Sequence, residues 1–114
     1  INDKGALILE VPSAHDLLLL SKSLKEFRDF TMWSEHLVLH TEKSLKSFIK
    51  VAGGKKIDIQ FYQRYNLANH LGWFIDQLPG GHDNYNLPEK LNQNYKNYLN
   101  KIKKTDTLIA IVKK

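Results

Sequence analysis

The chain has 114 residues, 42% of them hydrophobic and 25% charged, with no cysteine and a formal net charge of +5. That composition suits one globular domain over residues 1–114 able to bury roughly two-thirds of its unfolded surface, and it excludes a disordered chain, a disulfide framework and a thiolate metal site. No apolar run reaches the ~20 residues of a spanning helix, since Ala6 to Leu20 is interrupted by Glu10, Pro12, Ser13, His15 and Asp16.

Ala6 to Val11 is almost continuously apolar, the pattern of a strand covered on both faces. Pro12-Ser13 ends it, and Ser13 with Asp16 three residues on forms a near capping box. The helix that follows puts Leu17, Leu20, Leu24 and Phe27 on one face and is expected to run to about Phe30. Thr31 to His40 is ambiguous, and Leu37-Val38-Leu39 fits either a short strand or part of a helix.

Thr41 is the next N-cap, and Leu45, Phe48, Ile49 and Ala52 make a second helical stripe that stops at Gly53-Gly54. Lys56 to Tyr62 alternates, with Ile57, Ile59 and Phe61 on one side and Lys56, Asp58, Gln60 and Tyr62 on the other: a strand with one wet face. Leu67, Leu71, Phe74, Ile75 and Leu78 return to helical spacing before Pro79-Gly80-Gly81, and a loop runs on through Asn86. A last helix starts near Pro88 with Leu91, Tyr95, Tyr98, Leu99 and Ile102 as its apolar face. Thr105-Asp106 turns the chain into the apolar strand Thr107 to Val112.

Alternating strands and helices predict an α/β domain: a mostly parallel or mixed sheet of three or four strands with helices packed on its faces. The two apolar strands are expected at the centre of the sheet, and Lys56 to Tyr62 toward an edge. The alternative is a two-layer ferredoxin-like α+β fold, in which Leu37 to His40 pairs with Lys56 to Tyr62 as a hairpin.

Several residues could carry chemistry. His36 and His40 share a face on a helix or a strand, as metal ligands would, but a third ligand is missing and the zincin pattern is absent, so no metal is expected. The plainer interpretation is two histidines flanking a short buried strand. Lys43, Lys46 and Lys50 stand opposite the apolar stripe of their helix, with Lys55 and Lys56 just beyond; Lys101, Lys103, Lys104, Lys113 and Lys114 could join them. Such a stripe can track phosphates, or be an ordinary solvated face. Tyr62, Arg64 and Tyr65 sit at or past a strand end, where bases can be stacked and a phosphate clamped, with His70 and Trp73 in reach. Both Trp33 and Trp73 are expected in the core. The glycine-containing loop 79–86 lacks the phosphate-binding fingerprints, and Tyr98 with Lys101 lacks the paired histidines of a nickase.

Three functions stay open. One is a binding module for an anionic partner, nucleic acid (RNA or DNA) or an acidic protein, through Lys43, Lys46, Lys50, Lys55, Lys56, Tyr62, Arg64 and Tyr65. Another is a small metal-independent ribonuclease of toxin type with His36, His40 and Arg64 as the catalytic candidates. The third is a protein–protein interaction domain of immunity or phage-inhibitor type. No cofactor and no membrane partner are expected, and nothing in the sequence fixes an oligomeric state. The N-terminus carries no secretory leader pattern, which suits a cytoplasmic location, and a start at Ile1 suits a chain excised from a longer protein.

Overall fold

A computed structural model describes residues 2–32, 36 and 38–114. The expected Trp33 core position, and the Leu37 end of the ambiguous segment, lie outside the described residues. Three strands are present among the described residues: β1 (Ala6–Pro12), β2 (Lys56–Tyr62) and β3 (Thr107–Lys113). Their order in the sheet is β1-β3-β2, and both pairings are antiparallel, with Ala6 and Lys56 each opposite Lys113.

The sheet is therefore neither parallel nor mixed, which corrects the expectation from chain order; the architecture is α+β. The reason lies in adjacency. Strands β1 and β2 do point the same way, as a crossover predicts, but they are not neighbours. The last strand runs back down the slot between them, so each pairing is antiparallel. Among the described residues, Val38 to His40 form no hairpin with β2, as the ferredoxin-like alternative would require. His40 instead makes an isolated parallel bridge to Ser13, just past β1.

Only one of the two apolar strands is central. Leu108, Ala110 and Val112 of β3 are buried, whereas β1 is an edge whose Ile8 is 66% exposed. The alternation of β2 comes out as read, with Ile57, Ile59 and Phe61 partly buried and the other four residues exposed. Helix α3 (Glu42–Val51) covers the apolar face, packing Leu45 and Ile49 against β3 with Leu9, Val11, Ile57, Ile59 and Phe61 around them. Burying one such aliphatic side chain stabilises by about 1.5–3 kcal/mol. Thr41 starts α3 with a reciprocal cap: its Oγ1 accepts from Ser44 N (3.1 Å) and its own N donates to Ser44 Oγ (2.9 Å). Gly53 ends it in the left-handed region, at φ 93°.

The first helical segment is broken. Asp16, rather than Ser13, caps α1 (Leu17–Leu20), and the chain straightens at Ser21 before α2 (Lys25–Thr31). Serines compete with the backbone for hydrogen bonds, which favours a break there. The break re-aims the apolar stripe: Leu18, Leu24 and Phe27 are buried against Trp73, while Leu20 is exposed. Helix α4 (Leu67–Leu71) continues into a π-helical turn, Gly72–Asp76. Trp73 is buried, as expected, while Phe74, Ile75 and Leu78 are exposed, against the helical spacing read from sequence. A short helix α5 (Gly81–Asn84) occupies the expected loop and touches α4 backbone to backbone; a Cβ at Gly81 would sit 2.2 Å from Ala68 O. Helix α6 (Glu89–Lys101) follows Pro88 and buries Leu99 completely.

Candidate functional site

The C-terminal ends of β1 and β2 and the start of β3 meet at one end of the sheet, and α1, α2 and α4 close over that end. Between them lies a cavity of about 670 Å³, the size of a small-ligand pocket. Its apolar wall is Leu18, Phe27, Phe30 and Trp73. The three rings form one cluster, with Phe27 edge-on to Trp73 at 5.0 Å and Phe30 tilted against it at 5.1 Å.

Asp106 organises the polar wall. Its carboxylate accepts from Arg64 N (2.9 Å), Tyr65 N (3.0 Å), Gln63 Nε2 (2.8 Å) and Thr107 Oγ1 (2.8 Å). Gln63 Oε1 accepts in return from Asp106 N at 3.0 Å. This reciprocal clamp ties the exit of β2 to the entry of β3. It also hands on to His70, whose Nε2 lies 3.2 Å from Gln63 Nε2 and whose Nδ1 lies 2.7 Å from Tyr95 Oη. The two hydrogens of Gln63 Nε2 are directed to Asp106 Oδ2 and Tyr65 O, each at 2.8 Å, so the 3.2 Å approach to His70 is the weakest of its three contacts. His70 is 1% exposed, and burial pushes its pKa down to about 4, so the ring is neutral. Burial, with the nearby Asp16 charge, pushes the Tyr95 phenol up to about 12.

Asp16 is a second acid of the lining, at the start of α1. It is 6% exposed, and its carboxylate takes a single hydrogen bond among the described residues, from Leu18 N to Oδ1 at 2.8 Å. Burial raises its pKa to about 7; the Leu18 hydrogen bond opposes this and the Asp106 charge adds to it. Arg64, on the rim, reaches across β3 to form an ion pair with Glu10. Among the described residues the cavity therefore carries three carboxyl groups, Glu10, Asp16 and Asp106, against the guanidinium of Arg64.

The residues singled out from sequence divide among three places. His36, Arg64 and Tyr65 line the cavity, as do His70 and Trp73. His36 Nδ1 lies 3.0 Å from Thr31 O. His40 is elsewhere, beside α3, with Nδ1 3.2 Å from Ser44 Oγ and its ring 5.8 Å from Phe48. Among the described residues no group of three or more His, Asp or Glu side chains could hold a metal ion, and no helix is long and apolar enough to cross a membrane.

The lysines split in two. Lys46 pairs with Glu42 (2.7 Å), which also meets Lys103 (3.7 Å), so the start of α3, where Lys43 also stands, is partly neutralised. The end of α3, carrying Lys50, leads into Lys55 and Lys56, and the β2–β3 register sets Lys56 opposite Lys113 while Lys55 N donates to Lys113 O (3.3 Å). Lys114 follows, paired with Asp3 at 3.2 Å. This basic pole and the cavity are at opposite ends of the sheet, separated by the seven residues of β2, about 20 Å of strand. Tyr62, Arg64 and Tyr65 stand at the cavity end. Tyr62 lies on the uncovered face of the sheet, with Ile109 and Ile111 between it and the pole.

Sequence reading did not find Asp16, Gln63 or Asp106 as site residues. Asp16 reads as the capping-box partner of Ser13, where the structure makes it the N-cap itself, and Asp106 reads as a turn; what joins Asp106 to the site is a contact across 43 positions with Gln63. No family model, no curated protein and no solved structure matches this chain.

Proposed function

We propose that this chain is a binding module for an anionic partner, nucleic acid, held at the basic pole. The observation that carries the reading is the convergence of Lys55, Lys56 and Lys113 at one end of the sheet, drawn together by the β2–β3 register, with Lys50 on the last turn of α3 and Lys114, paired with Asp3, next to them in the chain. Ammonium groups presented together neutralise phosphates and release counterions, which gives affinity without sequence preference. The uncovered sheet face leads from this pole to Tyr62, a half-exposed ring on which a base of a single strand can stack.

The test is fluorescence anisotropy with labelled single-stranded RNA, single-stranded DNA and duplex DNA over a salt series. Four phosphate contacts give a log–log salt slope of about −3 on a single strand. The double variant Lys55→Glu, Lys56→Glu should abolish binding and remove most of that slope. Tyr62→Ala should weaken single-strand binding and spare duplex binding. Absence of binding at low salt, or binding indifferent to the double variant, overturns the reading.

A further inference from the structure

We propose that the cavity at the other end of the sheet is a binding site for a small organic cation: an ammonium or guanidinium carried on an apolar, preferably aromatic, body. The inference is independent of the basic pole, which lies at the far end of β2.

The argument is one of hydrogen-bond supply. Of the three carboxyl groups on the wall, Asp106 already accepts from four donors and Glu10 is paired with Arg64. Asp16 accepts one hydrogen bond, from Leu18 N, while 6% exposed and lining the cavity. A buried carboxylate with lone pairs to spare calls for a donor, and a charged donor suits it best. The remaining polar groups do not compete with a cation. His70 has Nδ1 on Tyr95 Oη and Nε2 against the side-chain nitrogen of Gln63, and Arg64 is turned to Glu10. In the same lining, Phe27, Phe30 and Trp73 offer a cation–π surface and an apolar bed for the carrier. An anionic ligand would meet Glu10, Asp16 and Asp106 with one guanidinium to offset them.

Ligand binding also repairs an electrostatic conflict. Among the described residues the titratable groups around Asp16 are Asp106 before β3 and Tyr95 on α6, whose charges interact with it, and His70 on α4, the Glu10–Arg64 pair, His36 and His82, which line the same cavity. Burial and Asp106 oppose ionisation of Asp16, and a bound ammonium supplies the missing counter-charge. Affinity for a cation therefore rises with pH through about 7.

The experiment titrates phenethylammonium into the whole chain and follows the amide signal of Leu18 and the indole signal of Trp73 by nitrogen-15 NMR. The neutral isostere 2-phenylethanol is the control. Saturable shifts at Leu18 and Trp73 are expected with the amine, and binding about tenfold or more weaker with the alcohol, the worth of one charge-assisted hydrogen bond. Asp16→Asn should level the two ligands. Phe30→Ala truncates a ring that is mostly exposed, so it leaves the fold intact and should weaken amine binding about threefold; it serves if the Asp16 variant does not fold. Nα-acetyl-lysine methylamide distinguishes the sources: binding as tight as the amine marks a lysine side chain of a peptide, weaker binding marks a free arylalkylamine, and both support a cation site. No saturable shift at Leu18, or an alcohol that binds as well as the amine, overturns the proposal.

Discussion

Asp16 and His70 should make the stability of this protein respond to pH in opposite directions. Asp16 has its pKa raised from 3.8 to about 7 in the folded state, chiefly by burial. Below pH 3.8 it is protonated folded or unfolded, and its contribution is fully present; as pH rises toward 7 the unfolded chain ionises it and the folded chain does not. At 1.36 kcal/mol per pH unit, folding loses about 4 kcal/mol across that window. His70 is the mirror image, lowered from 6.5 to about 4 by burial. Its contribution is fully present above pH 6.5 and is lost, by about 3 kcal/mol, as pH falls to 4. Between pH 4 and 6.5 the folded state holds a neutral acid and a neutral imidazole, and the unfolded state holds a carboxylate and an imidazolium. The proton counts are equal, so the pair contributes no slope.

Single substitutions expose the two halves. Asp16→Asn keeps a good N-cap for α1 and removes the titration; relative to the parent, its stability should climb by about 3 kcal/mol from pH 4 to 6.5. His70→Gln should fall by a similar amount over the same range. The assay is urea unfolding at half-unit pH steps, read as variant minus parent so that other groups cancel. Against a typical total of about 5–15 kcal/mol, effects of this size are easily read. Difference curves of the same sign, or both flat to within about 1 kcal/mol, would refute the account: Asp16 would then be ionised and hydrated in the folded state, and His70 would titrate as a surface imidazole.

Two further substitutions test how the fold is held. Thr41→Ala removes the acceptor for Ser44 N and half of a reciprocal cap, and should cost about 1 kcal/mol by urea unfolding. Gly81→Ala places a methyl group 2.2 Å from Ala68 O and 2.9 Å from Gly72; backbone atoms cannot swing away, so the variant should lose about 1–3 kcal/mol and shift the α4–α5 amide signals. A variant at Gly81 as stable as the parent would mean that the two segments do not pack backbone to backbone.

How much of this was legible depends on the range of the interaction. Local signals read well. The alternation of Lys56 to Tyr62, the Thr41 cap and the stop at Gly53 are set by neighbours in sequence, and each is where the pattern puts it. Pro88 likewise marks the start of α6 to within one residue. Strand direction did not read, because adjacency in the sheet is a choice among whole-chain arrangements that the order of elements leaves open. The apolar stripe from Leu67 to Leu78 misled for a subtler reason. The face that goes in is Ala68, Asn69, His70 and Trp73, two of them polar and held by hydrogen bonds, so counting apolar residues pointed to the wrong side of the helix and Phe74 and Ile75 stay out. The cavity acids were hidden because each has a sufficient local explanation. A residue that caps a helix or makes a turn gives no sign that it also faces a pocket assembled from β1, β2, β3 and three helices.

Charge shows the same limit from the other side. A net charge of +5 describes a sum, and partners respond to a field. Here the sum is uneven along the sheet: Lys55, Lys56, Lys113 and Lys114 lie at the end where β3 finishes, with Asp3 beside Lys114, while Glu10, Asp16 and Asp106 line the cavity where β3 starts, with Lys96, Lys103 and Lys104 on the elements around it. The lysines of the pole meet because β1 and β2 run together and β3 runs against them. The end of one strand and the starts of the other two must share a pole. A polyanion that docks on the lysines is thus kept about one strand length, some 20 Å, from the acids, well beyond the ~8 Å screening length at physiological salt. The two ends can therefore favour partners of opposite sign without either cancelling the other, which a uniform basic surface could not do.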